Sequence, residues 1–130
     1  MDSLTNHARE LTEKLGLSVE IHEDVNTKNR LFVIIKSAPL PPGIFKLQKT
    51  DILLVADRQY PDSALDMFWT EQDVIRVNGT IPQNANVIET YMGRSWRRFS
   101  WHRNGIWKRQ GNPLLDHYLF TQARWEVEKQ

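Results

Sequence analysis

The sequence predicts an α+β domain, and three observations carry that prediction. Apolar residues recur at helical spacing near both ends, at Leu4, Ala8, Leu11 and Leu15 and again at Leu114, Leu115, Tyr118, Leu119 and Trp125. Between them lie short runs rich in β-branched and aromatic residues, punctuated by turn residues. The resulting order is an N-terminal helix, an antiparallel β-meander, a long irregular crossing and a C-terminal helix. With 130 residues, positions 1–130 form one domain with a single core, and no internal repeat is present.

The first helix starts from Asp2 or Ser3 as cap and stops at Gly16. Leu17, Val19 and Ile21 alternate with polar residues and read as a half-buried strand. Asn26 to Asn29 is turn-like and leads into Leu31-Phe32-Val33-Ile34-Ile35, a run suited to a central strand. Pro39-Leu40-Pro41-Pro42-Gly43 predicts an ordered loop, since prolines so spaced suit neither ladder nor helix. Ile52 to Ala56 is a third strand and Met67 to Trp69 a short fourth; Asp73 to Val77 is an extended piece ending at the Asn78-Gly79 turn. From Thr80 to Gly111 no period is evident, so the expectation there is an irregular and functional segment. Asn112 as cap and Pro113 at the first position open the closing helix.

Composition excludes several classes of function. A hydrophobic fraction of 40% and a charged fraction of 25% describe a soluble globular protein. Lys plus Arg number 17 against 16 for Asp plus Glu, so there is no overall bias towards nucleic acid or membrane. With no cysteine, disulfides, thiolate metal sites and thiol nucleophiles are all absent. Met1 to Leu15 is too polar for a signal peptide, and no apolar run approaches the roughly 20 residues of a membrane span. The expected location is cytoplasmic. His7, His22 and His117 are scattered singly, which argues against a metal site. Gly79, Gly93, Gly105 and Gly111 stand alone, so no phosphate-binding loop is expected.

Charge is nevertheless placed unevenly. Between Thr90 and Leu115 there is no acidic residue, while Arg94, Arg97, Arg98, Arg103, Lys108 and Arg109 are interleaved with Trp96, Phe99, Trp101 and Trp107. Trp and Arg are residue types that grip partners and frame sites. A second distinctive string, Tyr60-Pro61-Asp62-Ser63-Ala64-Leu65-Asp66-Met67-Phe68-Trp69, lies upstream. Within the basic window Ser100 and His102 share a face if the segment is extended. An unperturbed histidine titrates in the range a general base needs, and serine needs such a base to act as a nucleophile. An isolated Ser-x-His is common, so two bland readings stand beside this one. Ser100 caps a turn and His102 is a buried, satisfied histidine; or Ser100 stands where a native cysteine has been replaced. The aromatics Trp96 and Trp107 suit packing of a long loop onto the sheet.

These strings, taken in order, resemble the ubiquitin-conjugating (UBC/RWD-like) superfamily, and more narrowly its prokaryotic conjugating-like family E. The landmarks are Pro42-Gly43 before the third strand, Tyr60-Pro61 after it, Asp66-Met67-Phe68-Trp69, then Gly93-Arg94-Ser95-Trp96-Arg97-Arg98-Phe99-Ser100-Trp101-His102, Trp107 and the final helix. The resemblance covers roughly Val19 to Val127. It implies a carrier in a bacterial pathway, connected with defence or stress, that takes the C-terminus of a ubiquitin-like protein from an activating-enzyme homologue. ATP is then used by that partner enzyme, and this chain carries no cofactor. In the superfamily the nucleophilic cysteine precedes a tryptophan that Trp107 matches, and counting back lands on Phe99 or Ser100, of which only Ser100 is nucleophilic. Ser100 would accept the modifier as an oxyester, His102 would be the base, and Arg94, Arg97, Arg98 and Arg103 would bind the modifier's tail. Trp96, Trp101, Trp107, Tyr60 and Pro61 would frame the site. Two departures bear on this: the chain has no cysteine, and the superfamily's His-Pro-Asn tripeptide is missing, with Asn84 and Asn86 the nearest amides. Cysteine loss also fits a non-catalytic adaptor of the same fold. The basic and aromatic window allows a further alternative, binding of single-stranded nucleic acid; Glu89 and Asp116 bracket the window, and no nucleic-acid motif supports it.

Overall fold

In the computed structural model, which describes residues 2–103 and 105–129, the chain begins with helix α1 (Ser3–Leu15). The Asp2 carboxylate caps it by accepting from Thr5 N at 2.7 Å, and Gly16 ends it at φ 70°, donating back to the Thr12 carbonyl. Leu4, Ala8 and Leu11 are buried, whereas Leu15 in the last turn is 42% exposed, so the apolar stripe is one turn shorter than its spacing suggests.

Six strands follow: β1 (Val19–Glu23), β2 (Arg30–Pro39), β3 (Lys49–Asp57), β4 (Phe68–Glu71), β5 (Val87–Tyr91) and β6 (Arg94–Phe99). They form one sheet in the order β1-β2-β3-β4-β6-β5, with every neighbouring pair antiparallel. Helix α2 (Pro113–Glu128) closes the chain, with Asn112 accepting from Leu115 N as its cap and Pro113 in the first turn. The α+β expectation is met, with two helices and an antiparallel sheet among the described residues. No helix among the described residues is long and apolar enough to cross a membrane.

Alternation along the strands sends side chains to two faces. Val33, Ile35, Ile52, Leu54, Phe68 and Phe99 meet Leu4, Ala8 and Leu11 of α1 and Leu114, Tyr118 and Trp125 of α2 in the main core. Phe68 and Phe99 stack at 4.9 Å, and Trp125 sets its ring edge-on to both. Burial of each such side chain contributes about 1.5–3 kcal/mol. The outer face carries a second cluster of Phe32, Ile34, Leu53, Trp69 and Trp96. In α2 the buried stripe runs Leu114, His117, Tyr118, Thr121, Trp125. Leu119 falls off that stripe and is 51% exposed, because five residues beyond Leu114 a helix has turned well away from the core.

The expected irregular crossing from Thr80 to Gly111 is corrected by the structure. Its middle is the β5–β6 hairpin, and β6 pairs with β4 and so extends the sheet. Met92 and Gly93 make the two-residue turn with φ of 55° and 69°, the left-handed pair that strand twist favours in hairpins. The strand pattern is masked because β6 is half-buried on both faces: Trp96 packs outward, Phe99 inward, and arginines fill the positions between. Asp73 to Val77 is likewise not a named strand. It is held by a single bridge between Phe45 and Arg76 and by Val77 N donating to the Ile44 carbonyl.

Candidate active site

Between the end of β6 and the start of α2, the contacts that hold the described residues create the site. Ser100 N donates to the Asn84 carbonyl at 2.9 Å, and Trp101 Nε1 donates to the Gln83 carbonyl at 3.1 Å. The Arg124 guanidinium lies 3.5 Å from the Trp101 ring centroid. Further on, Trp107 Nε1 donates to the Pro61 carbonyl at 2.7 Å, Arg109 pairs with Asp62, and Asn112 Nδ2 donates to the His7 carbonyl. Tyr60, joined to Pro61 by a cis peptide bond, is buried beneath them. Its hydroxyl accepts from Leu114 N at 2.9 Å and donates to His7 Nδ1 at 2.7 Å, tying the end of β3 to both helices. Burial pushes the Tyr60 phenol well above its ordinary range, so it stays protonated as that donor. Tyr60, Pro61, Trp101 and Trp107 therefore hold the segment that bears Ser100 and His102.

On this segment His102 faces Asp66. Its Nδ1 lies 2.7 Å from Asp66 Oδ1, with the two side chains 65% and 54% exposed. The carboxylate accepts that proton and also the Met67 N–H at 3.0 Å. A histidine whose Nδ1–H is held by a carboxylate presents the lone pair of Nε2 outward, the arrangement of an oriented general base. His102 is thus exposed and paired, contrary to the bland expectation of a buried histidine.

Ser100 is half-buried, and its Oγ accepts from Arg98 Nε at 3.0 Å. A cationic donor on that oxygen favours negative charge there. Ser100 and His102 are not hydrogen-bonded to each other; each holds a different partner.

The arginines are distributed, not gathered. Arg94 sits on the outer face with its guanidinium 4.2 Å from the Trp96 ring centroid, and pairs with Asp51 at 3.0 Å and Glu71 at 3.8 Å. Arg97 points to the helix side and is only 8% exposed; it donates to the Gln72 carbonyl at 2.9 Å and the Ala85 carbonyl at 2.7 Å. Arg98 reaches Glu89 as well as Ser100, and exposed Arg103 lies over Trp107 at 5.6 Å. Of the four, Arg98 alone touches Ser100. Arg103 borders a hollow of about 240 Å³ between Ala64–Asp66 and Gly105–Trp107. Trp96 is fully buried in the outer-face cluster, where its Nε1 donates to the Tyr91 carbonyl.

Two residues of the site escaped the sequence reading. Asp66 stands within a recognised string, but its pairing with a residue 36 positions away has no local signal. His117 is one of the singly scattered histidines of the sequence, yet it is fully buried beside the site. Its Nε2–H donates to the Met67 carbonyl at 2.8 Å, its Nδ1 has no partner, and burial pulls its pKa down to about 4. No cluster of three or more His, Asp or Glu side chains able to hold a metal ion occurs among the described residues.

Comparison with protein families matches residues 4–128 to the family described as prokaryotic E2 family E. Comparison with curated proteins and with solved structures gave no match.

Proposed function

The chain belongs to prokaryotic E2 family E, and we propose that it serves its pathway as a cysteine-free carrier with Ser100 as the acyl acceptor. Membership makes it a conjugating-type protein of a bacterial pathway, whose partners are an activating enzyme and a modifier. The observation that carries the finer reading is the Asp66–His102 pair, exposed to solvent and two residues from Ser100.

The modifier's C-terminal carbonyl carbon, activated on its activating enzyme as a thioester, is attacked by Ser100 Oγ. The Oγ–C bond forms and the C–S bond breaks. The serine proton passes to His102 Nε2 and from there to the departing thiolate, while Asp66 holds the imidazolium. The Arg98 guanidinium, already on Oγ, favours the oxygen's developing negative charge. Docking of the modifier's tail brings Ser100 and His102 into contact, since catalytic hydrogen bonds commonly tighten only in the loaded complex. The resulting oxyester is passed to an acceptor nucleophile.

One observation favours a second reading. Ser100 Oγ accepts from Arg98 and has no bond to His102; a member that only docks the activating enzyme or the modifier needs no more than that. Intact mass after incubation with the activating-enzyme homologue, the ubiquitin-like protein and ATP separates the two. The carrier reading expects a base-labile adduct of one modifier that is absent from Ser100→Ala. No adduct from partners that charge one another, together with non-covalent binding, establishes the adaptor.

A further inference from the structure

His117 lies in α2 one turn from its start, with none of its surface exposed. A histidine is an unusual choice for such a position, because a buried ring nitrogen without a partner is unfavourable. The core would accept an apolar side chain of similar volume in its place, and Phe120 already packs against the ring at 5.3 Å. What the imidazole supplies that an apolar group cannot is one donor, Nε2–H, and that donor is given to the Met67 carbonyl at 2.8 Å. Met67 is no ordinary acceptor. It holds φ 55°, a left-handed conformation that a long L side chain adopts only under restraint. On its other side Met67 N donates to Asp66 Oδ1 at 3.0 Å, and the same oxygen receives His102 Nδ1 at 2.7 Å. An unbroken series of contacts thus runs from the buried helix face to the exposed pair: His117, the Met67 carbonyl, the Met67 amide, Asp66, His102.

We infer that His117 is a positioning residue, whose Nε2–H fixes the left-handed turn at Met67 and thereby aims the Asp66 carboxylate at His102. This rests on the reading of Asp66 and His102 as the acid–base pair. Loss of the donor frees the Met67 carbonyl, the turn relaxes towards extended backbone, and Asp66 swings off the imidazole. His102 then loses its bias towards the Nδ1–H tautomer and, with it, the outward Nε2 lone pair. His117 touches neither nucleophile nor modifier, so its effect on transfer passes entirely through Asp66.

The ring-nitrogen spectrum of His102, recorded above pH 8 on the protein alone, reads this directly. Wild type is compared with Asp66→Asn, His117→Leu and His117→Gln, the last placing an amide donor near the position of Nε2. The expected result is a fall of about threefold in the Nδ1–H to Nε2–H ratio in Asp66→Asn and His117→Leu, the scale an exposed paired contact commands. His117→Gln should keep the wild-type ratio. Equal ratios in the leucine and glutamine variants, whether both kept or both lost, overturn the assignment. If the leucine variant does not fold, His117→Met, which fills the space without a donor, takes its place under the same criterion. Because no modifier, activating enzyme or ATP is present, the positioning role can fail while adduct formation on Ser100 succeeds, and the reverse. In the loaded reaction the donor-free variant should slow adduct formation and His117→Gln restore it.

Discussion

His102 and Asp66 hold each other with more than half of each side chain in solvent, so their contact contributes little to folding and its value is directional. Asp66→Asn should change unfolding free energy by less than about 1 kcal/mol, while His102→Ala should slow adduct formation by about a hundredfold. Thermal denaturation beside time-resolved intact mass checks both; a large loss of stability in Asp66→Asn would make the pair structural. The two neighbouring arginines should behave differently from each other. Arg97 is buried against two carbonyls, so Arg97→Ala leaves both acceptors unpaired and should cost about 2–3 kcal/mol. Arg98→Ala, on a partly exposed side chain paired with Glu89, should cost under about 1 kcal/mol yet slow acylation of Ser100. His117 makes stability depend on pH. Burial first, and Arg103 second, hold its folded pKa near 4 against the Met67 contact and Asp66, while unfolded it titrates near 6.5. Between those values the unfolded chain binds a proton that the folded chain does not, so stability falls as pH drops through that window. Denaturant unfolding at pH 7 and pH 5 should show wild type losing about 2 kcal/mol relative to His117→Gln. Ser100, His102 and the arginines were visible as residue types in the sequence. Their partners were not, because Asp66 meets His102 through the register of β4 on β6, where Phe68 faces Phe99, and His117 reaches Met67 through the packing of α2 on β4.

At the scale of elements, both helices were legible because their ends carry explicit chemistry: Asp2 and Gly16 for α1, Asn112 and Pro113 for α2. Strands β2 and β3 were legible as apolar runs. The β5–β6 hairpin was not, since Met92-Gly93 lacks the usual Asn-Gly signal and Arg97 occupies a buried position in β6. That turn yields its own prediction. Met92 is 42% exposed at φ 55°, so Met92→Asn places a residue tolerant of that conformation there and should stabilise the domain by up to about 1 kcal/mol. Gly93→Ala should destabilise by about 1 kcal/mol; a Cβ there meets no neighbouring atom, so the effect is backbone strain alone. Equal stability of wild type and both variants in chemical denaturation would contradict the turn.

The whole molecule is a sheet with helices on one face and an aromatic cluster on the other. The segment after β6 crosses to α2 along the side where Tyr60, Pro61 and Trp107 fasten it. Family membership makes this a conjugating-type protein, and none of its 130 residues is a cysteine that could carry a thioester. The carrier proposal then turns on whether Ser100 takes an acyl group. The most direct measurement is site mapping of the adduct formed with activating enzyme, modifier and ATP, by proteolysis under acidic conditions followed by fragment mass analysis. The modifier's C-terminal residues should be found esterified to Ser100, on a linkage cleaved by mild base. A remnant on a lysine through a base-stable amide, with Ser100 unmodified, would contradict it.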